Sequence, residues 1–313
     1  MLVQLQKEFP QDVRIVTRHF PLNSHPLSLL ATQASEAASL QGKFWEMNDY
    51  LFTNQATWTS LPSDQFETWL KTTAATALSL DVTKFSADLK SDAMVQMALD
   101  SQTEGAQAGV SYTPFILIDG KIWQGPRDLQ NLEAVVKLTL MENRMFTACP
   151  PMTIDPTKQY IATLKTTKGD IVIQLYPDKA PITVNSFVFL AKNGWFDGDI
   201  FHRVMLDFVA QTGDPSGTGY GAPGYAFKDE IDPNLKFDKP GVVGMANAGP
   251  DSNGSQFFIT YTAQPTLDGK YTIFGQVIQG MDVAAKLTPR DPSQTTTPLP
   301  PGDQILKVTI EEK

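Results

Sequence analysis

Cys149-Pro150-Pro151-Met152-Thr153-Ile154-Asp155-Pro156 interrupts every periodic pattern in the chain, with three prolines in seven positions. Pro-Pro fits neither the interior of a helix, where it lacks an N–H and clashes with the preceding turn, nor a central strand. The segment therefore divides the 313 residues. Before it, apolar residues recur at helical spacing; after it, they alternate with period two. At roughly 100–200 residues per domain the length fits two units, each large enough to bury a core. The expected limits are a domain at 1–147, a Pro-rich linker at 148–158 and a second domain at 159–313.

On the N-terminal side, Asp12-Val13-Arg14-Ile15-Val16 reads as a strand, followed by a loop punctuated by Pro21 and Pro26. Helical spacing covers residues 29–40, 44–52 and 66–78, the last with Ser63 as its N-cap candidate, and continues from 82 to about 109. Pro114-Phe115-Ile116-Leu117-Ile118, Asp119-Gly120 and Lys121-Ile122-Trp123 form a hairpin signal, because Asp-Gly supplies the positive φ angles of a tight turn. An amphipathic helix at 129–145 closes the half, with Trp45 and Trp123 as core anchors. On the C-terminal side, Tyr160-Ile161-Ala162-Thr163-Leu164-Lys165-Thr166 and Ile171-Val172-Ile173-Gln174-Leu175 alternate as strands. A helix at 180–193 takes Pro181 in its first turn and Gly194 as its C-cap. Many short strands follow, ending at 305–310; so few helices among so many strands imply a closed barrel with plugged ends.

Composition excludes several classes. With 25 Lys+Arg against 34 Asp+Glu the net charge is −9, which disfavours a general nucleic-acid or anionic-membrane binder. With 42% apolar and 19% charged residues the chain is not globally disordered. No apolar run approaches the roughly 18 residues of a membrane span. Met1-Leu2-Val3-Gln4-Leu5-Gln6-Lys7-Glu8 lacks the parts of an export signal. A lone cysteine, Cys149, closes no intramolecular disulfide and runs no Cys-x-x-Cys cycle. The glycine-rich run 217–224 lacks the Gly-Lys-Ser/Thr ending of a phosphate loop and reads as a flexible barrel loop. His202 reads as a satisfied structural histidine, and the sequon Asn253-Gly254-Ser255 as incidental.

His19-Phe20-Pro21-Leu22, Gln41-Gly42-Lys43-Phe44-Trp45-Glu46-Met47 and Tyr112-Thr113-Pro114 give the first half a resemblance to the DsbA-like group of the thioredoxin fold. The resemblance implies an α/β domain with a helical insert, a cis Pro114 and a redox pair that this chain lacks. The family's first strand and Cys-x-x-Cys would precede Met1, so the expected domain is redox-silent, with its first strand missing. Either an upstream start restores both, or the chemistry is gone. The family points to an extracytoplasmic location if such a start exists; no signal in the chain itself directs it there.

Phe201-His202-Arg203-Val204, Gly213-Asp214, Met245-Ala246-Asn247-Ala248-Gly249-Pro250 and Gly254-Ser255-Gln256-Phe257-Phe258-Ile259 make the second half similar to a cyclophilin. Leu267-Asp268-Gly269-Lys270 and Phe274-Gly275-Gln276-Val277 follow at compatible spacing, and several motifs in order outweigh any single match. The resemblance implies a mainly-β barrel with capping helices and peptidyl-prolyl cis–trans isomerase activity on proline-containing polypeptides in protein folding. It gives Arg203 as donor to the prolyl nitrogen, with Phe208, Gln211 and Asn247 completing the catalytic set. Val209, Ala246, Ala248, Gln256, Phe258, Leu267 and Tyr271 are the implied substrate-binding residues, Phe208 and Phe258 walling the proline pocket with Leu267. No metal or nucleotide cofactor is required. Val209, Thr266 and Tyr271 depart from common methionine, tryptophan and histidine, and Thr266 removes an indole that cyclosporin uses. Two other readings stand beside this one: a proline-segment binding module without turnover, motivated by those departures, and a thiol–disulfide oxidoreductase if an upstream start restores Cys-x-x-Cys.

Overall fold

The structure, a computed structural model, describes residues 1–294 and 299–313. It separates into two compact units, Arg14–Gly125 and Met1–Val13 together with Pro126–Lys313.

Helices dominate the first unit: Ser28–Ser39, Phe44–Thr53, Gln55–Trp58, Val82–Leu89, Asp92–Gln107, and the stretch Ser63–Trp69 that continues through a π turn, Leu70–Ala74, into Ala75–Ala77. Ala34, Ala37, Met47, Phe66, Leu70, Phe85 and Leu89 are fully buried in its core, and Trp58 stacks on Phe66. The hairpin forms as strands β1 (Leu117–Ile118) and β2 (Lys121–Ile122), turned by Asp119 at φ 48° and Gly120 at φ 77°. The Thr113–Pro114 peptide is cis.

Four expectations for this half change. Asp12 to Val16 form no ladder: Val13 and Ile15 are half-buried and Val16 is exposed, but no described segment supplies the backbone partners that make an extended stretch a strand. Ser63 is the first helical residue, and Pro62 occupies the cap position without a side-chain bond. The helix expected from 82 to 109 breaks after Leu89, where Ser91 Oγ accepts from Met94 N–H and starts a new one. Trp45 is 49% exposed and anchors no core.

In the second unit, alternation produces a curled antiparallel sheet of β3 (Tyr160–Thr166), β4 (Gly169–Leu175), β5 (Arg203–Val204), β6 (Val209–Thr212), β7 (Val242–Met245), β8 (Phe257–Thr260), β9 (Ile273–Gln279) and β10 (Ile305–Glu312). Their order is β10-β3-β4-β9-β7-β8-β6-β5. The seam between the outer strands is stitched by backbone bonds from Gly198 to Ile305, Phe201 to Asp303 and Ile305 to Asp199. The inward residues surround Phe187, Phe196, Phe257 and Phe274, with Phe187 and Phe257 edge-on at 5.4 Å. The helix Pro181–Lys192 plugs one end; the Glu230 carboxylate accepts from Ile182 and Thr183 N–H, where the helix dipole favours an anion. Outward residues of β6, β7, β8 and β9 form a second apolar cluster of Val209, Val242, Phe258 and Ile273 around Phe237.

Candidate active site

The period of two decides which side chains reach the outer wall. Along β6, Ala210 faces the core while Val209 joins the outer cluster; along β8, Phe257 and Ile259 face the core and Phe258 faces out. Arg203 pairs with Gln211 across β5 and β6, and Gln211 with Phe258 across β6 and β8, so one row crosses three strands. Gly244 pairs with Phe258 on the other side. A Cβ at Gly244 would stand 2.8 Å from both Phe237 and Phe258, so its absence lets those rings stack at 5.5 Å.

The half-buried guanidinium of Arg203 is held on two sides. Its Nη1 donates to Gln211 Oε1 at 3.5 Å, and its Cζ lies 5.3 Å from the centre of the Phe208 ring. Gln211 Nε2 donates to Gln256 Oε1 at 2.9 Å, and Gln256 Nε2 donates to the carbonyls of Gly219 and Gly221 at 2.9 and 3.0 Å. Phe208, Ala246, Leu267 and Tyr271 are partly buried against the outer cluster, and Tyr271 meets Phe258 edge-on at 5.8 Å. Val209 and Phe258 are nearly closed off, at 2% and 5% exposure. Beside Arg203 a hollow of about 330 Å³ opens between Met205, Tyr220 and Asp291.

Asn247 spends its side chain locally, donating to Asp229 Oδ1 and accepting from Gly249 N–H, each at 3.3 Å. Its backbone N–H and C=O meet no protein partner among the described residues. Ala246 N–H is taken by Gln256 O, and the exposed Ala248 donates to Ser252 Oγ. Of the residues the sequence named, Phe208, Val209, Ala246, Phe258, Leu267 and Tyr271 share the outer cluster, Arg203, Gln211 and Gln256 are joined by hydrogen bonds, and Asn247 and Ala248 bond locally.

Two readings of the sequence change. The glycine-rich loop is not loose: Asp214, fully buried, accepts from the N–H groups of Ser216, Gly219 and Gly221 and from the Ser216 hydroxyl. His202 is buried without satisfaction, since neither ring nitrogen makes a hydrogen bond among the described residues. Burial lowers its pKa to about 4, with Arg290 and Arg203 adding to the effect and Asp214 opposing it. Asp199, equally enclosed, is pushed up to about 8 by burial and by Asp214. Asn253 of the sequon is fully buried and donates to Asp229 and Phe227, so it presents no acceptor for a sugar.

Residues 161–310 match the family described as cyclophilin type peptidyl-prolyl cis-trans isomerase/CLD. The mouse protein named peptidyl-prolyl cis-trans isomerase-like 1 is 48% identical over 143 residues, 45% of this chain and 84% of that one. The chain belongs to the cyclophilin-type peptidyl-prolyl cis–trans isomerases. The Schizosaccharomyces pombe protein named peptidyl-prolyl cis-trans isomerase 9 is 46% identical over 152 residues; the match is 48% of this chain but a quarter of that protein's length. A Cryptosporidium parvum cyclophilin of solved structure is 36% identical, covering 49% of this chain and 98% of its own, with a TM-score of 0.45. Residues 3–138 match the thioredoxin family, so this cyclophilin carries a thioredoxin-like domain ahead of its barrel.

Proposed function

We propose that the cyclophilin barrel isomerises X–Pro bonds at its outer wall, with Arg203 as the donor that stabilises the twisted amide. The observation carrying this reading is a guanidinium held between Gln211 Oε1 and the Phe208 ring at the rim of an apolar cluster. Rotation about an X–Pro bond breaks amide resonance against a barrier of about 18–20 kcal/mol and takes tens to hundreds of seconds unaided. As the bond twists, the nitrogen lone pair leaves conjugation and becomes an acceptor. A donor aimed at it binds the twisted state more strongly than either planar one, and that difference is catalysis.

Each residue type suits its part. Arginine stays charged, and its planar fork offers several N–H donors, so some are spent on Gln211 while others face the ligand. Phe208, Phe258 and Leu267 offer the prolyl ring an apolar wall, Val209 closing the floor and Tyr271 the side. The free backbone groups of Asn247, flanked by Ala246 and Ala248, suit pairing with an extended peptide. Gln256 steadies Gln211. No covalent bond to the protein forms and no proton changes hands, so the side chains present suffice. The clients are proline-containing polypeptides during folding.

Two-dimensional exchange spectroscopy on a tetrapeptide containing Ala-Pro tests the reading. The full chain is expected to produce strong cis–trans exchange cross-peaks at catalytic concentration. Peptide binding by titration without any exchange above buffer would instead select a proline-recognition module.

A further inference from the structure

Residues 141–154 precede the matched segment, yet they run along the barrel. Arg144 donates to the carbonyls of Gly194 and Trp195 at 3.2 and 3.0 Å, its guanidinium 5.5 Å from the Trp195 ring. Phe146 packs against Phe189 at 4.8 Å and Trp195 at 6.0 Å, and its N–H donates to Pro223 O at 2.8 Å. Further on, the buried Asn185 accepts from Thr153 N–H and donates to Pro151 O, so the Pro-rich stretch is fastened to the barrel rather than hanging free.

This strap lies against the glycine-rich loop. A Cβ at Gly221 would stand 2.8 Å from Met141 Sδ, and one at Gly224 would run into the Phe146 carbonyl oxygen. Asp214 grips the same loop through the N–H groups of Ser216, Gly219 and Gly221. Within the loop so held, the carbonyls of Gly219 and Gly221 accept from Gln256, whose amide leads through Gln211 to Arg203. A second route runs beneath: Trp195 Nε1, under Arg144 and Phe146, donates to Gly213 O at 3.3 Å, next to Asp214. Gly217, Gly219, Gly221 and Gly224 carry no Cβ to restrict the backbone, so the loop's order has to come from what clamps it.

We propose that Arg144 and Phe146 are positioning residues of the isomerase site, fixing the loop 216–224 so that Gln256 and Gln211 present Arg203 in its reactive orientation. This rests on the isomerase reading above. The strap makes the barrel's turnover depend on residues that touch no substrate. Its loss leaves the proline pocket in place and lets the arginine swing, so the effect falls on kcat more than on KM.

The test is a double-mutant cycle in the full chain, with tetrapeptide exchange as the assay. Arg144→Gln and Phe146→Ala are each expected to lower kcat/KM about fivefold, chiefly through kcat, with Phe146→Leu recovering part of the loss. In a Gln256→Ala background the same substitutions should change nothing further. Arg144 is exposed, so Arg144→Gln keeps the test available should Phe146→Ala unfold the barrel. Strap variants with wild-type kcat/KM overturn the proposal, as do losses that multiply with that of Gln256→Ala. A wild-type chain that fails to accelerate exchange sinks the isomerase reading instead. The strap is then judged by the NMR signals of the Gln256 side-chain amide, which must move in Phe146→Ala and, if they do not, refute it.

Discussion

Replacing Arg203 separates charge from geometry. Removing one preorganised donor to a charge that develops in the transition state costs about 10²–10³ in rate, or roughly 3–4 kcal/mol. Arg203 is half-buried, so water shares the field and the lower end applies: Arg203→Ala should lose about a hundredfold in kcat/KM. Arg203→Lys keeps the charge but loses the fork. One ammonium on a flexible stem cannot both hold Gln211 Oε1 and meet the prolyl nitrogen in fixed geometry, so it should lose about tenfold or more. The fold should survive both changes. The contacts removed are a long 3.5 Å hydrogen bond and a cation–π contact at a half-exposed site, about 0.5–1 kcal/mol each, a shift of a few degrees in Tm. The assay is refolding of a protein whose slow phase is X–Pro isomerisation, run beside tetrapeptide exchange. Variants that keep wild-type melting curves and accelerate both reactions within twofold of wild type would refute the donor role.

Gly244→Ala puts a methyl group 2.8 Å from the Phe237 and Phe258 rings; equilibrium unfolding should show a loss of about 1–3 kcal/mol, with a raised KM as the pocket wall moves. His202 has a folded pKa of about 4 against 6.5 unfolded, so the unfolded chain binds more protons between those values and stability at this site falls as pH drops from 6.5 to 4. Relative to wild type, His202→Gln should therefore be spared roughly 3 kcal/mol of acid destabilisation, measured by urea melts at both pH values. The raised pKa of Asp199 acts in the opposite sense, favouring the fold below pH 3.8 and losing that contribution up to about pH 8. Asp199 is common to both proteins, which is why the comparison is made between variant and wild type. Cyclosporin should bind the chain weakly, and Thr266→Trp, at an exposed position, should tighten it by about tenfold or more in calorimetric titration.

What the sequence made legible follows from the range of the interactions involved. Arg203 and Phe258 lie in contiguous motifs, Gln211 comes from the family correspondence alone, and strand alternation predicts which of Phe257 and Phe258 faces outward once one of them is placed. The hairpin at Asp119-Gly120 is equally local, because the turn chemistry lies in two adjacent residues. Asp12 to Val16 show the limit: alternation describes a stretch suited to a sheet, but a ladder requires a neighbour that pattern does not supply. The role of Asp214 was hidden because its partners are backbone N–H groups, which leave no mark on side-chain identity. The strap was hidden for the same reason at longer range. Nothing about Arg144, Phe146 or Asn185 signals that their counterparts are the carbonyls of Trp195, Pro223 and Pro151. Proline density reads as an end to periodic structure there, but such a stretch is also well suited to lying rigidly on a surface.

The wall to which the proline pocket is assigned is a single sheet thick, and this divides the labour of evolution between neighbouring codons. Along β8, Phe257 fills the interior and Phe258 lines the exterior. On the proposed reading, changes at outward positions of such strands retune which peptides are accepted, while changes at inward ones put the whole architecture at risk. A library diversifying Val209 and Phe258 with Phe257 and Ala210 held constant should therefore yield folded barrels with new preferences, and the complementary library should yield mostly aggregates.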